Sequence, residues 1–340
     1  MNLVGDIMNL KQINILGAGF SCVDIIKFGD CEKIMLGGTA ANVISVLSMF
    51  GIKSTFLQAD YMDGWGKWLN KEFYNRGVDL EFFIKTKAAT PRIIEVLDIE
   101  YRKHYFETTC SMCGKKINQT QLPSENNVQN VNLSNYNLFF YDRISDGIKK
   151  IASNILNGWS FYEPNSCRTY QTFLNGLKTA NIVKFSSDRV HSSYIEKLLN
   201  DLVESNVQLV IVSMSDKGIK FSYRNNKNVL SNWQHIEPIK INNIIDTSGA
   251  GDWLTASFLY WFLQKYPNYC EILEKSDIYN MLIKAQEMVA FTCNFIGAQG
   301  IIEDKDGVGL FNNMFGLKIN ALKSEENIFI TSCSNCKNVK

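Results

Sequence analysis

The run Asp246-Thr-Ser-Gly-Ala-Gly-Asp252 holds the densest chemistry in this chain. An apolar run at 239–245 precedes it and a helical pattern follows, which predicts a strand–turn–helix junction. Such a junction aims unpaired backbone N–H groups and the positive end of a helix at one point. Glycines there let the backbone approach a phosphate closely. Gly249, Ala250 and Gly251 would form an anion hole. Asp252, at the helix start, would accept the proton of an attacking hydroxyl. Taken alone, the same residues also suit a plain turn in which Asp252 only caps the helix.

A second constellation is made of thiols. Cys110-Ser-Met-Cys113-Gly and Cys333-Ser-Asn-Cys336-Lys are CxxC turns of nearly the same form. Each points two thiolates at one place, and the two together supply a tetrahedral zinc site. A closed set of four cysteines would be structural, with no open position for catalysis. Two unrelated surface turns, or a redox pair, are the competing reading. Cys22, Cys31, Cys167, Cys270 and Cys293 read as core or incidental residues.

The elements that must hold these groups alternate. Strands are expected at 13–17, 54–58, 138–141, 159–162, 182–185 and 209–213, and helices at 40–50, 65–76, 193–205, 252–264 and 278–295. Repeated βα units imply an α/β body with a mostly parallel sheet covered on both faces. Between 89 and 107, β-branched, aromatic and charged residues alternate, which predicts exposed antiparallel strands, a small β-rich lid. The stretch from 303 to 340 reads as polar and irregular until a short strand at 328–331 beside the lid.

The chain has 340 residues, 46% hydrophobic and 20% charged, enough for one large α/β domain or two ordinary ones. A net charge of +1 without a long basic run argues against a broad nucleic-acid surface. The apolar stretch at 253–263 is too short to span a bilayer, so no membrane partner is expected. The first residues lack a basic segment followed by an apolar core, and with nine cysteines this points to a reducing, cytoplasmic setting.

Read together with Gly37-Gly38-Thr-Ala-Ala-Asn42, the Asp246 to Asp252 segment resembles the two signatures of the ribokinase-like (PfkB) carbohydrate kinases. The resemblance runs from about residue 13 to about residue 300. It implies a three-layer α/β fold, with a kinase domain over 1–303, lid strands near 24–36 and 86–118, and an extension over 304–340. It implies ATP and Mg²⁺ as cofactors, K⁺ as a further one, and a sugar, sugar derivative or nucleoside as acceptor. A homodimer formed through the lid is implied as well.

Residue roles follow from the same resemblance. Asp252 is implied as the base, with Gly249 to Gly251 as the anion hole. Asp24, Gly38, Asn42 and Arg168 would bind the acceptor. Asp63-Gly64 and Gly77-Val78-Asp79 fit two further family segments, and Glu163-Pro164-Asn165 another. Lys184, Ser213, Gly218, Asp246, Thr247, Gly297 and Ala298 fall on the nucleotide side, the last pair near the adenine and a monovalent-cation site.

Some positions depart from the family pattern. Arg189 stands where the family places a glutamate that organises Mg²⁺, with Asp188 one residue earlier. That exchange motivates a second reading, a sugar or nucleotide sensor without catalysis, whose thiol ribbon docks a partner. Trp253 is bulkier than the family residue and is expected to narrow the site, and Gln58 replaces a common glycine. Gly17-Ala-Gly19 lacks the third glycine of a dinucleotide loop, and His104, His191 and His235 are scattered without a triad.

Overall fold

Short, uninterrupted apolar runs form the centre of the molecule. The computed structural model describes residues 13–98, 103–110, 113–165, 169–241, 244–269 and 271–322. The runs LFFY and WSFY become strands buried on both faces, as a parallel sheet between two helical layers requires.

Along the chain the elements are β1 (Asn14–Ala18), β2 (Cys22–Phe28), β3 (Cys31–Gly37), α1 (Thr39–Met49), β4 (Lys53–Tyr61), α2 (Gly64–Asn75), β5 (Val78–Thr86), β6 (Arg92–Asp98) and β7 (Lys103–Glu107). There follow β8 (Leu138–Tyr141), α3 (Asp146–Asn154), β9 (Trp159–Tyr162), α4 (Tyr170–Leu177), β10 (Ile182–Ser186), α5 (Ser192–Asp201), β11 (Leu209–Ser213), β12 (Ile219–Tyr223) and β13 (Gln234–Ile236). Helices α6 (Ala250–Lys265), α7 (Lys275–Thr292) and α8 (Lys305–Phe315) complete the order.

Nine strands make one sheet in the order β13-β12-β11-β10-β9-β8-β1-β4-β5. It is parallel from β11 to β5, and β12 and β13 add an antiparallel edge. One apolar layer gathers Ile15, Ile44, Phe56, Phe258, Leu282 and Phe311, and the other Leu16, Phe139, Ile148, Phe173 and Leu198. Adjacent residues of β1 thus serve opposite faces, the two-residue period of a strand. The chain leaves β1 toward β4 and β5 on one side and later builds β8 to β11 on the other. The switch point therefore lies between β1 and β8, and their carboxyl ends open the crevice where ligands bind in such sheets.

A separate four-stranded sheet, β3-β2-β6-β7, forms the lid. Its two hairpins are antiparallel and meet through a parallel β2–β6 pairing. Among the described residues no helix is long and apolar enough to cross a membrane.

Two expectations need correction. The apolar run at 239–245 forms no strand among its described residues, since the edge strand β13 ends at Ile236 and Pro238 has no N–H for a ladder. Instead the Ile245 and Asp246 amides donate to the Cys293 carbonyl, 2.9 and 3.2 Å away, at the end of α7. The tail is not irregular from 303 onward, because α8 packs on the main core. Asp304 caps it by accepting from the Gly307 amide at 2.7 Å, and Gly316 ends it in the left-handed conformation. Its glycines and paired asparagines hide the period that brings Val308 and Phe311 inward. The strand expected at 328–331 lies outside the described residues.

Phe311 is fully buried against Phe50, Trp253, Phe291 and Phe315. Phe311→Ala is expected to cost about 3–5 kcal/mol in urea unfolding, the scale of a large core truncation. A loss under about 1 kcal/mol would place α8 outside the cooperative body.

Candidate active site

The turn before α6 is held from both sides by one buried carboxylate. Asp246 Oδ1 accepts from the Ser248 amide and Oδ2 from the Gly297 amide, both at 2.7 Å. Thr247 lies exposed on this turn, and its carbonyl accepts from the Ala250 amide at 3.1 Å. Gly249 then takes φ +72°, and a Cβ there would lie 2.5 Å from Ala298 Cβ. Only glycine satisfies both the dihedral and the contact, so α6 can start at Ala250 with its first amides facing the crevice. Gly251 and Asp252 occupy that first turn. Behind it, the buried Trp253 indole donates to the Ala298 carbonyl at 2.6 Å. Trp253 therefore anchors the Gly297-Ala298 loop from the core and does not narrow the site.

Asp252 is joined to the start of α1. Asn42 Nδ2 donates to Asp252 Oδ2 at 2.7 Å, one turn into the helix capped by Gly38. The lid brings a second carboxylate, Asp24 on β2, close enough to feel the Asp252 charge. Gly37 faces it across the hairpin, and a Cβ on Gly37 would sit 2.0 Å from the Asp24 carboxylate. The Cys22 thiol donates to Asp24 Oδ1 at 3.2 Å.

Both carboxyls titrate far above the ordinary range. Burial pushes Asp24 up to about 7, and the charges of Glu95 and Asp252 add to it, against the Cys22 hydrogen bond. Burial pushes Asp252 up to about 7 as well, and Glu163 adds, while the Asn42 hydrogen bond, Lys184 and Arg189 pull it down. The Asp252 charge is the smallest of the influences on Asp24. A carboxyl that changes charge near neutrality is matched to general-base work.

Beside the first turn of α6, the buried Lys184 of β10 donates to Glu163 and, at 3.0 Å, to the Gly251 carbonyl. Glu163 Oε2 in turn accepts from Thr255 Oγ1 at 2.6 Å. Ser213 ends β11, and the turn to Gly218 is closed by the Met214 amide on the Gly218 carbonyl at 2.9 Å. Asp188 accepts from Ser215 Oγ at 2.8 Å, whereas Arg189 donates to the Asn165 side chain. A cleft of about 440 Å³ opens beside this region between α3 and α4, lined by Asp142, Arg143, Tyr162 and Asn165. It reaches neither Asp24 nor Asp252.

Three of the expected site residues, Arg168, Cys333 and Cys336, lie outside the described residues. Cys110 and Cys113 flank a tight reversal. The Gly114 amide donates to the Cys110 carbonyl and the Cys110 amide to the Lys115 carbonyl, both at 2.8 Å. Among the described residues no group of three or more His, Cys, Asp or Glu is arranged to hold a metal ion.

Reasoning from sequence passed over the lid's own contribution. His104 Nδ1 pairs with Glu95 Oε1 at 2.5 Å, and Nε2 lies 3.5 Å from Asp246 Oδ1. Ser248 Oγ donates to the same Glu95 oxygen at 2.7 Å. Lid strands β6 and β7 thus clasp the turn that precedes α6. The available signal was Glu95, an acid at an inward position of a strand, which is buried here. Gln58 is also buried. Its Oε1 accepts from Ser21 Oγ at 2.8 Å, and its Nε2 has no partner among the described residues.

Residues 186–299 match the sequence model described as pfkB family carbohydrate kinase. No curated protein matches the sequence as a whole. Among solved structures, the fructokinase of Vibrio cholerae O395 with fructose, ADP and calcium superposes with a TM-score of 0.64 at 18% identity, covering 84% of this chain and 94% of that one. The ATP-bound fructokinase of Xylella fastidiosa gives 0.67 at 18% identity, with coverage of 84% and 94%. The aminoimidazole riboside kinase of Salmonella enterica gives 0.64 at 16%, covering 88% and 99%. The resemblance to the PfkB carbohydrate kinases, a class of phosphotransferases, is thus borne out in sequence over 186–299 and in fold over most of the chain.

The clasp has a pH signature. Glu95 holds the His104 pKa above its ordinary 6.5, chiefly through the hydrogen bond and against partial burial, and Asp246 adds to it. The stabilisation is therefore complete below pH 6.5 and is lost as pH rises through the folded value. His104→Gln should cost about 0.5 kcal/mol at pH 6, the scale of a screened pair, and almost nothing at pH 9. An equal cost at both pH values in thermal unfolding would show that the pair's charge is irrelevant.

Proposed function

We propose that this chain is an ATP-dependent kinase acting on a hydroxyl of a sugar, sugar derivative or nucleoside. The observation that carries the reading is Asp252. It is a carboxyl pushed up to about 7, held by Asn42 at the start of α6, with its charge felt by Asp24 on the lid. In the proposed step the acceptor oxygen forms a bond to the γ-phosphorus of ATP, the bond to the β-phosphate oxygen breaks, and Asp252 takes the hydroxyl proton. Asp24, given room by Gly37, accepts hydrogen bonds from other hydroxyls, and Gly38 and Arg168 are proposed to join it. The backbone of Gly249, Ala250 and Gly251 would form the anion hole, with the Gly249 and Gly251 amides facing the charge on the transferred group while the Ala250 amide is held by the Thr247 carbonyl. Lys184 adds a fixed positive charge there. The Ser213 to Gly218 turn and the loop of Gly297 and Ala298 would bound the nucleotide.

Mg²⁺, when bound, would neutralise phosphate charge. The side chains on that side are a mixed set, because Asp188 offers a carboxylate while Arg189 offers a guanidinium that lowers the Asp252 pKa. Arg189 therefore takes over part of the neutralisation. Protonated His104 plays a similar part on Asp246, which bonds the Gly297 amide of the loop that the family resemblance puts near a K⁺ site. Tyr105 and Phe106 stand exposed on opposite faces of the edge strand β7, which suits this edge to pairing with a second copy of this chain. The nine cysteines fit a reducing, cytoplasmic setting.

The test is ATP consumption over a panel of sugars and nucleosides. Turnover with at least one acceptor is expected, lowered about 10²–10⁴-fold in Asp252→Asn. Because the base must be deprotonated, kcat/KM should fall as pH drops below about 7. Wild-type turnover in Asp252→Asn overturns the assignment. Tight acceptor binding without any transfer would favour the sensor reading that Arg189 motivates.

A structural zinc ion on Cys110, Cys113, Cys333 and Cys336 is proposed as well, supported by the closed Cys110 to Lys115 turn and the repeated CxxC spacing. Metal analysis should give about one zinc per chain. Zinc content unchanged in Cys113→Ser/Cys336→Ser would refute the site.

A further inference from the structure

Asn42 holds Asp252 with its amide nitrogen, yet an amide presents nitrogen and oxygen with nearly the same shape. Something must decide which end faces the carboxylate. Behind Asn42 a line of buried side chains leads to α2. Asn42 Oδ1 accepts from Gln299 Nε2 at 2.9 Å, and Gln299 Oε1 accepts from Arg76 Nε at 2.5 Å. Arg76 NH1 donates to the Glu72 carbonyl at 2.9 Å and to Glu72 Oε2 at 2.6 Å. Gln299 is 0% exposed, Asn42 3% and Arg76 4%, so water cannot substitute at the Arg76–Gln299 or Gln299–Asn42 link.

A guanidinium has only donors. Gln299 must therefore turn its oxygen to Arg76, which leaves its N–H₂ for Asn42. Asn42 must then turn its oxygen to Gln299, which leaves its N–H₂ for Asp252. Reversing either amide would face donor to donor at Arg76 or oxygen to carboxylate at Asp252. We infer that Arg76 and Gln299 are positioning residues that force Asn42 to donate to Asp252. The inference rests on the reading of Asp252 as the base, and it goes beyond the motif residues, none of which includes Arg76 or Gln299.

The charges around both ends of the relay are consistent with this role. Arg76 loses solvent on burial and regains stability chiefly from Glu72, with Glu303 also facing it. Asp252 is faced by Glu163 after β9, Lys184 on β10, Arg189 beyond β10 and Asp24 on the lid. The Asn42 hydrogen bond is one of the few influences that lowers its pKa. Losing the enforced orientation would raise it.

The test uses the full chain with ¹³C-labelled aspartate carboxyls, the Asp252 signal being assigned by its loss in Asp252→Asn. Gln299→Glu keeps the shape and the acceptor for Arg76 but cannot donate to Asn42. Its Asp252 titration should move up by about one pH unit, the scale of one hydrogen bond to a charge. The acid limb of kcat/KM should move with it. Arg76→Met should act in the same direction, while Arg76→Lys, also a pure donor, should restore the wild-type titration. An Asp252 titration unmoved in Gln299→Glu overturns the relay. Wild-type turnover in Asp252→Asn would instead sink the base assignment, and the carboxyl titration would still decide the relay on its own.

Discussion

The site depends on where helix α6 is allowed to begin. A helix start offers its amides to a phosphate only if its preceding residues do not fold back over them. The Asp246 carboxylate prevents that by bonding the Ser248 and Gly297 amides at once. The backbone just before it is tied to Cys293 at the end of α7. With those ends fixed, Gly249 is driven into a left-handed conformation against Ala298, and the first turn of α6 opens toward the crevice.

Around this turn the structure concentrates charge that would be costly to bury singly. Lys184 answers Glu163, His104 answers Glu95 and Asp246, and Arg76 answers Glu72. Asp24 and Asp252 are the exceptions, since no cationic side chain pairs with either carboxylate among the described residues. Burial pushes both up to about 7. Around this turn, the carboxylates left without a cation are the two proposed to meet a hydroxyl-bearing acceptor and a proton transfer. Such a division is expected of a functional site.

The lid and the body are not independent. Asp24 comes from a lid strand, and room for it depends on Gly37 of the neighbouring strand. Met35 and Ile26 of the lid pack where a Cβ on Gly297 would sit, next to the loop that supports the anion turn. Glu95 and His104 add polar contacts to the same turn. Any lid motion must therefore be felt at the start of α6.

Local chemistry was legible in the chain itself. The turn of Asp246 to Asp252, the strand runs at 138–141, 159–162 and 209–213, and the lid's alternation all follow from residue type and short-range period. What failed were features set by distant partners. The run at 239–245 has strand composition but no place in the sheet, and α8 has a weak period but a deep aromatic pocket to fill. The clasp of His104 with Glu95 and the relay from Arg76 to Asp252 join residues far apart in sequence. Sequence alone determined which groups could hold a phosphate and accept a proton. Only the tertiary structure decided which buried charges go unpaired and which way each amide must face, because both depend on neighbours that folding, not chain order, brings together.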